Sequence, residues 1–135
     1  MAKVAVVYWS GTGHTQAMAE AIANAADAAL FTASEFSAGK MDEFDAVAFG
    51  CPSMGAEELE DGEFLPMFED VKAKLGGKKI ALFGSYGWGD GEWMRTWEAD
   101  CAARGADMAA EPVICCEEPD ADAIAQCEAL GKALT

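Results

Sequence analysis

The sequence is poor in basic residues and in histidine. Nine Lys and Arg side chains stand against 24 Asp and Glu, which gives a net charge of −15 over 135 residues. Nucleic acid and anionic membrane surfaces attract patches rich in Lys and Arg, so the composition argues against both as partners. The acidic charge itself leaves two interpretations open: it keeps the protein in solution, or it meets basic partner proteins and steers their approach.

Metal ligands are also scarce. The chain has one His, and its five cysteines form no CxxC pair, so we expect no metal site. Because the cysteines are odd in number and unpaired in spacing, we interpret them as reduced thiols in the core of a cytosolic protein. They are Cys51, Cys101, Cys115, Cys116 and Cys127.

Long apolar runs are absent as well. No run approaches the roughly 18 residues that a membrane-spanning helix needs. The N-terminal segment MAKVAVVYWSGTG carries one Lys, a short apolar run and no small-residue cleavage pattern. We interpret it as a buried strand rather than a signal peptide, and we expect a cytoplasmic protein with no membrane partner.

The chain does have enough apolar material for one packed domain. Hydrophobic residues make up 52% of it, and no linker or repeat divides it, so we expect a single domain over residues 1–135. Apolar runs alternate with segments of helical periodicity. Strands are predicted at 3–8, 28–32, 46–50, 79–84 and 108–116, and helices at 13–26, 63–75, 92–104 and 120–134.

This alternation predicts an α/β fold with a doubly wound parallel sheet of five strands in the order 2-1-3-4-5 and helices on both faces. Pro112 lies inside the last predicted strand and indicates an edge position or a bulge. Ligands of such folds bind outside the carboxyl ends of the strands. The loops that follow strands 1, 3 and 4 therefore hold the candidate site.

The first of these loops reads WSGTGHT, residues 9–15. Its two glycines allow a tight turn, its hydroxyls and imidazole are donors, and the next helix directs free N–H groups at the same point. Gln16 stands where a third glycine of GxGxxG would be, and no Lys follows as in a P-loop. The loop fits a terminal monophosphate held by neutral donors; the alternative is an ordinary Gly/Ser turn before a capped helix.

The second and third loops offer groups for a flat ring. CPSMGAEELEDGE, residues 51–63, places Met54 and Gly55 between a strand and a run of acids, and its alternative is an exposed acidic loop. GSYGWGDGEW, residues 84–93, mixes glycines with Tyr86, Trp88 and Trp93, which could stack on an aromatic ring. A phosphate at one end and a hydrogen-bonding ring at the other describe flavin mononucleotide, FMN.

The motifs WSGTGHT, CPSMGAEELED and GSYGWGDGEW, in this order, resemble the short-chain flavodoxins of anaerobic bacteria, and the resemblance covers the whole chain. It implies that the cofactor is FMN and names the residues that bind it. These are Trp9, Ser10, Gly11, Thr12, Gly13, His14, Thr15, Ser53, Met54, Gly55, Glu57, Ser85, Tyr86, Gly87, Trp88 and Gly89.

The resemblance also implies roles. Residues 10–15 would bind the phosphate, and Trp9 would lie near the ribityl chain. Met54 and Trp88 would cover the two faces of the ring, and Ser85, Gly87 and Gly89 would line its pyrimidine edge. The Gly55 peptide would turn to accept from the reduced N5–H, and Glu57 would accept from N3–H. His14 stands where relatives often have Asn, so the phosphate site is expected to respond to pH.

By the same resemblance, we expect a low-potential one-electron carrier that is a monomer, with iron–sulfur oxidoreductases and flavoprotein reductases as partners that present basic docking surfaces. Acids around the ring would oppose the negative charge of the reduced flavin; they are Glu57, Glu58, Glu60, Asp61, Glu63, Asp90 and Glu92. One alternative is an FMN-dependent quinone or nitro reductase, which needs an open ring face. Another is a non-flavin binding module of the same fold, such as a phospho-receiver.

Overall fold

The chain folds into a parallel β-sheet that lies between two layers of helices. A computed structural model describes residues 3–11, 13–54, 59–87 and 91–135. Two single 3-10 turns, Ala33–Glu35 and Lys72–Lys74, join the regular elements. The strands are β1 Val4–Tyr8, β2 Ala29–Thr32, β3 Ala46–Gly50, β4 Lys79–Tyr86, β5 Asp107–Met108 and β6 Val113–Cys116. The helices are α1 His14–Ala26, α2 Ala38–Met41, α3 Phe64–Val71, α4 Glu92–Ala103 and α5 Ala121–Ala133.

The strand order confirms the predicted topology. The sheet runs β2-β1-β3-β4-β5, and every described pair is parallel. The fifth position is shared by two short strands, since β5 pairs with the start of β4 and β6 pairs with its end. The single strand predicted at 108–116 is therefore interrupted at 109–112, where Pro112 has no N–H to give to the ladder.

The central strands are buried on both faces, which explains their continuous apolar runs. Phe49 on β3 faces a cluster with Phe64 and Phe68 of α3 and Trp97 of α4. The opposite face packs Phe83 against residues of α1 and α5, which include Met18, Ile22, Cys127 and Leu130. Helix α3 ends earlier than predicted, at Val71, and the 3-10 turn that follows leads into Gly76 and Gly77.

The cysteines are free thiols, but not all of them lie in the core. Cys51, Cys101 and Cys127 are buried, and burial raises the pKa of each to about 12, so these thiols stay protonated at neutral pH. Cys115 is half-buried and Cys116 is exposed, because both lie at the end of the edge strand β6. The expectation of core thiols is thus wrong for Cys116.

The described residues contain neither a candidate membrane-spanning helix nor a candidate metal-ligand cluster. Within those ranges, no helix is both long and apolar enough to cross a membrane. The same part of the chain contains no group of three or more His, Cys, Asp or Glu that could hold a metal ion.

Close packing of α1 against α5 depends on Gly131. A Cβ at this position would lie 2.7 Å from the Ile22 carbonyl oxygen and 3.1 Å from the Ala25 Cβ. Because the neighbour is backbone, Gly131→Ala should lower the free energy of unfolding by about 1–3 kcal/mol. Gly39→Ala in α2 is the control: its nearest neighbour would be 4.0 Å away, and it should be neutral or stabilising. If urea denaturation gave the same free energy of unfolding for Gly131→Ala and Gly39→Ala, the close packing at Gly131 would not limit stability.

Candidate functional site

The ends of three neighbouring strands meet at one edge of the sheet. Backbone bonds continue past the strands: Trp9 N–H donates to the Gly50 carbonyl at 3.0 Å, and Cys51 N–H donates to that of Phe83 at 3.2 Å. Ser53 N–H then donates to the Ser85 carbonyl at 2.9 Å. These bonds hold the described parts of the three predicted loops side by side.

A cleft of about 370 Å³ opens between the loops. Its volume falls in the range of small-molecule sites. All but one of its lining residues belong to the three predicted loops, and Glu117 is the exception. The lining residues are Trp9, Gly11, His14, Pro52, Ser53, Met54, Ser85, Tyr86, Gly87 and Glu117.

A second hollow, of about 430 Å³, lies between α3 and α4. Its walls include Phe68, Trp97 and three carboxylates, those of Asp61, Glu69 and Asp100. Carboxylates repel a phosphate, and the described lining of the cleft at the strand ends has only one, Glu117, together with hydroxyls and a helix start. The cleft is therefore the better site for a phosphorylated ligand.

The first loop is shaped by Gly13. Its φ of +94° lies in the left-handed region, where glycine is favoured, and helix α1 begins at the next residue. Ser10 Oγ accepts a hydrogen bond from Gly13 N–H at 3.0 Å. The hydroxyl proton of Ser10 can still be donated, and α1 begins close by at His14, which lines the cleft.

A buried pair of hydroxyls ties the first loop to the third. Thr15 Oγ1 and Ser85 Oγ are 3.0 Å apart, and both residues are buried. One hydroxyl must donate to the other, so the pair retains one O–H donor. Ser85 lines the cleft and Thr15 lies buried behind it, so the pair fixes the start of α1 against the cleft wall.

Met54 supplies an apolar surface to the cleft. Its side chain is 37% exposed, which is unusual for a large apolar residue in the described part of this protein; the other exposed case there is Leu30. A flexible, polarizable thioether at a cleft wall fits contact with a flat ring. This placement agrees with the role predicted for Met54.

The third loop separates its aromatic residues. Tyr86 lines the cleft, and its ring packs on Trp93 with centroids 5.6 Å apart. Trp93 itself is 3% exposed and donates its indole N–H to the Cys51 carbonyl at 3.2 Å. The prediction that Trp93 could stack on a bound ring is wrong, because α4 begins at Glu92 and turns this indole into the core.

Glu60 has a structural role that the sequence did not reveal. Its buried carboxylate accepts from the N–H groups of Gly62, Glu63 and Phe64 at 2.6–2.8 Å, and so caps the start of α3. Burial alone would raise the pKa of Glu60, but the three N–H donors outweigh it and hold the pKa below its usual value. From sequence, Glu60 is one of seven acids expected to oppose negative charge on the ring. In the structure, its carboxylate caps the N-terminus of α3.

Glu117 is a lining residue that sequence reasoning missed. It follows β6 directly, has a φ of +61°, and donates its N–H to the Tyr86 carbonyl at 2.7 Å. A non-glycine residue in the left-handed region at a cleft wall is a signal of function. Its place after a strand end, like that of the other loops, could have identified it.

Five predicted site residues lie outside the described ranges. Their predicted roles stay predictions. They are Thr12, Gly55, Glu57, Trp88 and Gly89.

Comparison with known proteins decides the family. The family model described as Flavodoxin matches residues 6–131. The chain is 42% identical over 132 residues to a flavodoxin from Clostridium beijerinckii, covering 94% of this chain and 95% of that one. It is 44% identical over 135 residues to a flavodoxin from Megasphaera elsdenii, covering 96% of each. The chain belongs to the flavodoxin family.

A solved flavodoxin structure agrees with this assignment. The solution structure of two-electron reduced Megasphaera elsdenii flavodoxin superposes with a TM-score of 0.89 at 41% identity and covers 97% of each chain. Flavodoxins are FMN-binding electron carriers, so the cofactor is FMN and the protein transfers electrons rather than catalysing a reaction. The alternatives of a quinone or nitro reductase and of a non-flavin module are thereby wrong.

The described residues fit FMN. No described atom beyond the chain neighbours lies within 4 Å of a Cβ built at Gly87, which lines the cleft, or at Gly13, directly before α1, so the backbone is open to close approach at both glycines. The described lining carries hydroxyls but no Lys or Arg, as predicted for a monophosphate held by neutral donors. An exposed thioether and a half-buried phenol ring supply the apolar contact that a flavin ring needs.

Proposed function

We propose that the cleft binds FMN with its phosphate at the start of α1 and its ring between Met54 and Trp88, and that the protein passes single electrons between redox enzymes. The observation that carries this proposal is the meeting of all three predicted loops around one cleft. FMN supplies two successive one-electron reductions when it is bound.

The chain's own groups would bind and orient the cofactor. Ser10, Thr15 and the first turn of α1 would direct N–H and O–H donors at the phosphate oxygens. Met54 and Tyr86 would exclude water from the ring. Glu117 at the same wall would disfavour added negative charge, which supports a low potential for the second reduction.

The distribution of charge supports basic partners. All Lys and Arg except Arg95 lie at the amino ends of the strands or at the helix ends beside them, as Lys3, Lys78 and Lys132 do. Acids flank the cleft edge; Asp61, Glu63, Glu92, Glu117, Glu118 and Asp120 lie there. This supports docking by redox proteins with basic surfaces, such as iron–sulfur oxidoreductases and flavoprotein reductases. We further propose that the protein acts as a monomer in the cytoplasm.

The visible spectrum of the purified protein tests cofactor binding. The apoprotein should be restored to a yellow holoprotein by one equivalent of FMN, and stepwise reduction should resolve two one-electron couples. An apoprotein that does not bind added FMN would contradict the proposed cofactor site. Reduction in a single two-electron step would contradict the proposed transfer of single electrons.

Gly55→Val tests how the potential is set. If the Gly55 carbonyl accepts from flavin N5–H only after reduction, the contact differs between redox states, and only such a contact shifts a potential. One net hydrogen bond contributes about 0.5–1.5 kcal/mol. Since about 59 mV corresponds to about 1.4 kcal/mol for one electron, the first potential should fall by tens of millivolts.

The second potential should change less in Gly55→Val, because N5–H is present on both sides of that couple. The β-branched side chain is used because it hinders a peptide conformation that needs glycine. Potentiometry that finds both couples unmoved would contradict the peptide rotation and leave the FMN assignment intact.

A further inference from the structure

Trp9 forms one wall of the cleft and is held on several sides. Its backbone N–H donates to the Gly50 carbonyl, and its ring packs against the core cluster of Phe49 and Phe64. The ring also lies against Gly11, where an added Cβ would be 3.1 Å from the ring atom Cη2. The position of this ring therefore sets the shape of the first loop as well as of the cleft wall.

The indole N–H of Trp9 is bound by a residue 54 positions away in the chain. It donates to Glu63 Oε2 at 2.8 Å. An indole can only donate, and Trp9 is partly exposed, so a carboxylate acceptor favours one orientation of the ring over the others open to it.

Glu63 is itself anchored, although its side chain is exposed. Its backbone N–H donates to Glu60 Oε1 at 2.8 Å, and it is the N-cap residue, directly before α3 begins at Phe64. The buried carboxylate of Glu60 thus fixes the backbone of Glu63, and the carboxylate of Glu63 fixes Trp9. This series of contacts joins the start of α3 to the cleft wall.

We propose that Glu63 is a positioning residue for FMN: its hydrogen bond holds the Trp9 ring against Gly11 and so keeps the cleft wall and the first loop in the shape that binds the cofactor. The proposal rests on the proposed binding of FMN in this cleft. Glu63 does not line the cleft in the described structure, so it acts through Trp9.

FMN and riboflavin titrations of four apoproteins test this role: wild type, Glu63→Leu, Glu63→Gln and Glu69→Leu. Glu63→Leu should bind both flavins about two- to tenfold more weakly, since that is the factor that one lost hydrogen bond makes in a binding constant. Glu63→Gln keeps an acceptor oxygen and should bind as wild type does. Glu69→Leu removes an exposed carboxylate of α3 that does not line the cleft in the described structure, and it should also match wild type.

A double-mutant cycle with Trp9→Phe, which lacks the indole N–H, tests whether Glu63 acts through Trp9. Once the indole N–H is absent, Glu63→Leu should cause no further loss of affinity. Wild-type affinity in Glu63→Leu, equal losses in Glu63→Gln and Glu63→Leu, or additive losses in the cycle would each overturn the proposal. Failure of FMN binding as such would appear in the wild type, so the two failures are distinguishable.

Discussion

The apoprotein should bind FMN at least about a hundredfold more tightly than riboflavin, which lacks the phosphate. The donors that would contact the phosphate are the N–H groups of the first turn of α1 and the hydroxyls of Ser10 and Thr15. A hydrogen bond to a charged group contributes about 1.5–3 kcal/mol. Two such bonds in net terms account for a factor of about a hundred or more.

The salt dependence of this preference has a definite sign. The chain has a net charge of −15, and the described cleft lining contains no Lys or Arg, so long-range electrostatics oppose the approach of a phosphate dianion. Added salt screens that repulsion. The affinity for FMN should therefore rise or stay constant as ionic strength rises. In a site built from Lys and Arg, the affinity for FMN would instead fall. The affinity for neutral riboflavin should hardly change.

Fluorescence quenching of the two flavins by apoprotein, from low to high salt, measures both effects. Inorganic phosphate should compete with FMN and leave riboflavin binding unaffected, which serves as the control for the phosphate end of the site. Equal affinities for the two flavins would mean that residues 9–15 form only a Gly/Ser turn before a helix.

Glu60→Ala should lower the free energy of unfolding by about 2–4 kcal/mol. The substitution leaves the N–H groups of Gly62, Glu63 and Phe64 without their acceptor, and each unsatisfied donor costs about 1–3 kcal/mol before water reaches it. Glu69→Ala on α3 is the matched control. Glu69 is exposed and pairs at the surface with Lys72, so its loss should change stability by no more than about 0.5 kcal/mol.

The effect of Glu60 should depend on pH. Its folded-state pKa is lowered, so the stability it contributes is present above the unfolded value of about 4.3 and is lost as pH falls through the folded value. The difference in stability between wild type and Glu60→Gln should shrink below about pH 4. Urea denaturation at neutral and acid pH measures it, and a Glu60→Ala variant as stable as Glu69→Ala would refute the capping role.

Much of the architecture could be predicted because it is encoded locally. The continuous apolar run of β1 and the helical stripe of Phe64, Phe68 and Val71 predict their elements, since period and length follow from backbone geometry. Parallel connections then leave few possible strand orders, and the carboxyl ends of the strands locate the site. The break at 109–112 was signalled by Pro112, whereas its length depends on which part of β4 each short strand meets.

Composition and local motifs by themselves determined the α/β sheet, the three loops at its edge, and the flavodoxin resemblance. The tertiary structure decided which polar and aromatic side chains serve the cleft. Trp93 turns into the core while Tyr86 lines the cleft, Glu60 caps α3, and Thr15 meets Ser85 from 70 positions away. A hydrogen bond needs its partner within about 3 Å. Distances between residues that are far apart in the chain depend on how whole helices and strands pack, and a local sequence pattern does not predict that packing.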